Sequence, residues 1–188
     1  MKIQHVFAAI LLAAAPLPAS VIVYTATLIG TNEVPPNGST ASGNITVTLN
    51  GDSLSVDETF SGLIGGTAAA AHIHCCAVPG VNAIVSVPFS GFPPATSGTY
   101  LHTFDLTQSA TYNGAFVTAN GGTAASAEAA LIAGLNSGLA YANIHNSTFP
   151  GGEIRGQLAA IPEPATLSLT GLALVGALLI RVRRRISA

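Results

Sequence analysis

Positive charge is what the middle of this chain lacks. Between Ser20 and Ala160 the one permanent cation is Arg155, set against Glu33, Asp52, Asp57, Glu58, Asp105, Glu128 and Glu153. One against seven leaves that stretch at about −6, although the whole chain carries −2. No basic surface is left for nucleic-acid phosphates or anionic lipid headgroups, so no nucleic-acid partner is expected. Cysteine is scarce as well: only Cys75 and Cys76, side by side. Ordinary disulfide geometry disfavours bridging neighbours, so a disulfide-stapled framework is not expected. Small buried or loop residues, thiolate ligation next to His74 and pairing between chains all stay open for them. Catalytic signatures are missing too. There is no Gly-x-Ser-x-Gly elbow, no phosphate-binding Gly-x-x-x-x-Gly-Lys loop and no dinucleotide fingerprint. Asp57 and Glu58 are adjacent, so a strand would point them to opposite faces, a poor start for paired glycosidase carboxylates. The expectation is a protein that is not an enzyme.

Apolar residues are plentiful, but they concentrate at the ends. Lys2 is followed by an uncharged apolar run, Val6 to Ala15, then by Pro16-Leu17-Pro18-Ala19-Ser20. That is the layout of a secretory signal peptide over residues 1–19, with cleavage after Ala19 by a signal peptidase. At the other end, Ala165 to Ile180 has no charged residue, and Arg181, Arg183, Arg184 and Arg185 follow. Sixteen helical residues span about 24 Å against a hydrocarbon layer of about 30 Å, and arginine stems can snorkel across the difference. The sequence predicts a transmembrane helix over 165–180 with its arginines on the cytoplasmic side and the bulk of the protein outside.

Between the ends, residues 20–160 predict one β-rich domain. Val21 to Ile29 reads as an opening strand. Ile45, Val47 and Leu49 alternate with threonines, and Leu54 and Val56 with serines, across Asn50-Gly51. This is a hairpin signature with a tight turn that needs positive φ. Further strands are expected at Ala69–His74, Ala83–Phe89, Thr99–Leu106, Ala140–His145 and Ile154–Leu158. One short helix is expected at Ala124–Leu135, with Glu128 near its first turn. Many short strands with one helical excursion point to an all-β, antiparallel sandwich or barrel.

On such strands the histidines matter. His72 and His74 share one face of their strand, since successive side chains alternate. Tyr141, Asn143 and His145 share a face of another. Three neutral imidazoles suit Cu, Zn or Ni better than Ca or Mg, so His72, His74 and His145 form a candidate metal site for Cu or Zn. The competing reading is a structural polar network in which imidazoles satisfy loop carbonyls while Glu153 and Arg155 pin a turn to the sheet. His102 is expected to pack or hydrogen-bond within its own strand.

Three segments carry a family resemblance: Ala71-His72-Ile73-His74, Phe60-Ser61-Gly62-Leu63, and Ala140 to His145 continuing through Phe149-Pro150-Gly151-Gly152-Glu153-Ile154-Arg155-Gly156-Gln157-Leu158. Together they resemble the CHRD domain family over roughly Tyr24 to Ala160. The resemblance implies an immunoglobulin-like or superoxide-dismutase-like sandwich without an established catalytic activity. His72, His74, His145, Glu153 and Arg155 match its recurring polar positions, whereas Cys75 and Cys76 depart from its glycine-containing turn. Residues 161–188 resemble a PEP-CTERM sorting signal: Pro162-Glu163-Pro164, an apolar segment, then the arginines. That resemblance implies a Gram-negative bacterium, transient inner-membrane insertion, an exosortase, and delivery to the cell surface, outer envelope or extracellular matrix. The leading expectation is therefore an exported, non-enzymatic surface protein that binds exopolysaccharide or an envelope protein. A Cu- or Zn-binding or redox protein centred on the three histidines stands second.

Overall fold

The computed structural model describes residues 21–161. The expected signal peptide, the sorting motif Pro162-Glu163-Pro164, the helix over 165–180 and the arginine cluster lie outside them. Among the described residues no helix is long and apolar enough to cross a membrane.

The hairpin is the simplest element to derive. Strands β2 (Ser42–Asn50) and β3 (Ser53–Ser61) pair along their whole length. The two-residue turn Gly51–Asp52 joins them, with Gly51 at φ +55. Asn50 is the last strand residue rather than part of the turn. Ile45, Val47, Leu49, Leu54 and Val56 all point inward and are buried, as a side-chain period of two requires. Strand β1 (Ile22–Ile29) lies antiparallel against β2, burying Tyr24 and Leu28. β6 (Gly98–Asp105) pairs with the far side of β3.

The second group is β4 (Ala70–His74), β5 (Val85–Pro88), β7 (Tyr141–His145) and β8 (Ile154–Gln157). β9 (Ala159–Ala160) is a short addition that pairs with β1. The strand order is β5-β4-β7-β8-β1-β2-β3-β6, every pairing antiparallel. This sheet is curled. Phe89, just past β5, meets Tyr100 and Phe104 of β6 at ring separations of 5.2 and 6.1 Å, bringing the two ends of the strand order together around one core. His102 is on this seam, exposed, 4.4 Å from the Phe104 ring and 5.9 Å from Tyr100.

Two expectations about helices need correction. Among the described residues there are two α-helices, not one: α1 (Gly114–Ala119) precedes α2 (Ala124–Asn136). α1 spans six residues, too short to show a 3.6-residue period, but Asn113 caps it by accepting from the Ala115 N–H at 2.9 Å. α2 begins at a capping box between Thr123 and Ser126, which leaves Glu128 beyond the first turn. Ala127, Leu131 and Leu135 carry its buried face.

The cysteines also depart from expectation. Cys75 and Cys76 are joined by a disulfide to each other. The pair packs on α2 at Gly134, where a Cβ would overlap both sulfurs. Glycine supplies the space there.

Candidate metal centre

β4, β7 and β8 are neighbours, and their register writes the site. His72 lies opposite Asn143, and Asn143 opposite Arg155; His74 lies opposite Tyr141. The alternate residues, Ala71, Ile73, Ala142, Ile144 and Ile154, turn into the core. The polar row therefore occupies the outer face of the sheet, under the loops 30–39 and 77–84. His145 sits opposite Ala70, a residue small enough to let the imidazole lean toward His72.

The three histidines converge. Ring centroids are 5.0 Å apart for His72 and His145, 5.5 Å for His72 and His74, and 6.1 Å for His74 and His145. One ring nitrogen from each lies within 4.8 Å of the others. Outer nitrogens are tied down by main-chain oxygens: His74 Nδ1 is 2.8 Å from Ala83 O, and His145 Nδ1 is 3.0 Å from Pro150 O. Such contacts fix the tautomer and aim the Nε2 lone pair inward, the usual second layer of a metal-binding imidazole. His74 Nε2 and His72 Nδ1 are buried and have no hydrogen-bond partner among the described residues.

Electrostatics keeps these rings neutral. Burial, reinforced by the neighbouring histidines, depresses His72 to about 4. His74 is likewise pushed down to about 4, first by burial, with Ala83 O pulling the other way. Burial also lowers His145. Neutral imidazoles are the form that donates to a metal, so near pH 7 no proton needs to be displaced from any of the three.

Surrounding groups hold this geometry. Tyr141 stacks on His74 at 4.6 Å, and the Arg155 guanidinium carbon is 3.3 Å from the Tyr141 ring centroid. Arg155 donates to Asn82 Oδ1 and Val81 O, both at 2.9 Å, anchoring the loop that supplies Ala83 O. Glu153 serves other loops. It accepts from Ser39 Oγ at 2.6 Å, Ile64 N at 2.7 Å, Gly65 N at 3.2 Å and the Asn146 amide. Glu153 and Arg155 thus share a side of the chain without pairing with each other. His72 opens on a depression of about 270 Å³ lined by Ala70, Pro88, Ser90 and Phe92.

Other sequence candidates lie elsewhere. His102 is on β6, away from the cluster. Cys75 follows His74 and so points to the opposite face of the sheet; its sulfur is bonded to Cys76, which removes the thiolate-ligand alternative in this oxidised form. Two residues of the site carried no signal of their own. Glu33 is buried, and burial pushes its pKa up to about 7 against the opposing pull of Arg155, the Val34 N–H and the Asn143 amide. Asn82 reaches Arg155 from a loop more than 70 positions away, a contact no local pattern encodes.

Comparison with known proteins agrees with the motif reading. The family model of the CHRD domain matches residues 24–158. The chain belongs to the CHRD domain family. No curated protein and no solved structure gives a significant match. The CHRD match runs from within β1 to just past the end of β8 and includes all three histidines. Membership points to an extracellular or secreted role.

Proposed function

We propose that this chain is an exported, non-catalytic domain that holds one transition-metal ion, copper or zinc, at His72, His74 and His145. The observation that carries this reading is the approach of three neutral imidazole nitrogens to within 4.8 Å of one another. A purely structural hydrogen-bond cluster would spend those nitrogens on partners, yet His72 Nδ1 and His74 Nε2 have none among the described residues. Imidazole donors favour copper and zinc over magnesium and calcium. Delivery would use a signal peptidase at the N-terminus and an exosortase at Pro162-Glu163-Pro164.

Elemental analysis of the purified protein, beside the His72→Ala/His74→Ala variant, tests the proposal. One equivalent of copper or zinc in the wild type and none in the variant is expected. Equal metal content in the two proteins would remove the pair as ligands.

A second reading, association with exopolysaccharide or an envelope protein, draws on the other half of the sheet. The outward residues of β2, β3 and β6 include Thr46, Thr48, Ser55, Thr59 and Thr103, a hydroxyl-rich face suited to neutral glycans. Secretion without retention on exopolysaccharide would count against it.

A further inference from the structure

Asn143 is the residue that the three-histidine description leaves out. It lies opposite His72 in the β4–β7 register, two residues before His145 on the same face, and is 2% exposed. Its Oδ1 is 2.9 Å from His145 Nε2. We propose that Asn143 Oδ1 is a fourth donor to the metal, so that the centre is three imidazole nitrogens and one amide oxygen. This rests on the metal-binding reading above and extends it to a residue type outside the usual His, Cys, Asp and Glu ligands.

His145 has one N–H too few for its surroundings. A neutral imidazole carries one N–H. His145 faces an acceptor oxygen at each nitrogen, Pro150 O at 3.0 Å and Asn143 Oδ1 at 2.9 Å. One N–H cannot serve both oxygens. With the proton on Nδ1, the Nε2 lone pair points at the lone pairs of Oδ1. A cation between them converts that opposition into two bonds. His74 repeats the pattern, its Nδ1 held by Ala83 O and its buried Nε2 without a hydrogen-bond partner among the described residues.

Distance is the second argument. Two donors about 2.05 Å from one ion stand about 2.9 Å apart at a right angle and about 3.3 Å apart at a tetrahedral angle. The observed 2.9 Å matches the right-angle value and equally an ordinary N–H···O hydrogen bond, so both atoms could reach one ion with little movement.

Amide orientation is the third. Turning the Asn143 side chain over would offer Nδ2 to His145 and remove the conflict. Glu33 opposes this: the Asn143 amide is one of the groups that hold the buried Glu33 carboxyl's pKa down, so its Nδ2 edge faces that carboxyl while Oδ1 faces His145. Gly152 makes this possible: a side chain there would occupy the space of the Glu33 carboxyl. An oxygen in the donor set favours Zn(II) or Cu(II) over Cu(I), which prefers softer ligands.

Asn143→Leu and Asn143→Asp keep the volume while deleting or strengthening the donor. Zn(II) affinity is measured by competition with a chelator, and the Cu(II) form by electron paramagnetic resonance. Asn143→Leu is expected to bind Zn(II) at least about tenfold more weakly and Asn143→Asp about tenfold more tightly. Both should shift the Cu(II) spectrum. Wild-type affinity and an unchanged spectrum in Asn143→Asp would overturn the assignment while leaving the three-histidine site standing. Failure of the wild type to bind either metal would overturn both. Circular dichroism shows whether Asn143→Leu is folded; if it is not, the Asn143→Asp arm decides.

Discussion

Glu58→Gln should make this protein more stable, and more so the more alkaline the solution. Glu58 is fully buried on the inward face of β3 between Val56 and Phe60, opposite Ile45 on one side and Tyr100 on the other. Neither carboxyl oxygen has a hydrogen-bond partner among the described residues. Burial raises its pKa from 4.5 to about 8. The folded chain therefore holds this proton where the unfolded chain has released it. The stability contributed is complete below pH 4.5 and is lost as pH rises to about 8. Each pH unit in that window costs about 1.4 kcal/mol, so the ceiling is about 5 kcal/mol. Glutamine keeps the shape and carries no charge at any pH. The difference between variant and wild type isolates Glu58, because Glu33 and the depressed histidines titrate equally in both. Urea unfolding followed by far-UV circular dichroism is the assay, since the chain has no tryptophan. The two proteins should be close at pH 4.5 and diverge steadily to pH 8. A difference that stays constant from pH 5 to pH 9 would refute the reasoning.

Gly134→Ala should lower the melting temperature. Overpacking against the Cys75 and Cys76 sulfurs costs about 1–3 kcal/mol, which outweighs a gain of up to about 1 kcal/mol in helix propensity. A melting temperature at or above wild type would show that the space at Gly134 is not needed. Glu153→Ala strands the Ser39 hydroxyl, the Ile64 and Gly65 N–H groups and the Asn146 amide. It should cost about 3 kcal/mol or more in urea unfolding, and a change under about 0.5 kcal/mol would contradict that role.

Most of the fold was legible because its strongest signals are periodic. The alternation of Ile45, Val47 and Leu49 with threonines states which face is buried, and β2 and β3 obey it. Alternation also places His72 with His74, and Tyr141 with Asn143 and His145. It cannot say that β4 and β7 are neighbours. That juxtaposition depends on strand order, which neither periodicity nor the CHRD resemblance supplied. Three features escaped for physical reasons. α1 is shorter than two helical turns. The Cys75–Cys76 pair depends on the tertiary space that Gly134 leaves. Glu33 and Glu58 look like ordinary surface acids until the covering loop and the inward register are known. Glu58 breaks the alternation rule in its own strand, placing a carboxyl where Val56 and Phe60 predict an apolar residue.

The X-ray absorption spectrum of the Zn(II)- or Cu(II)-loaded protein reads the ligands of the proposed centre atom by atom. Three imidazole nitrogens at about 2.0 Å, with their outer-ring scattering, are predicted, together with one oxygen in the same shell. A sulfur at about 2.3 Å, a shell without imidazole scattering, or no ion retained after a chelator wash would contradict the account.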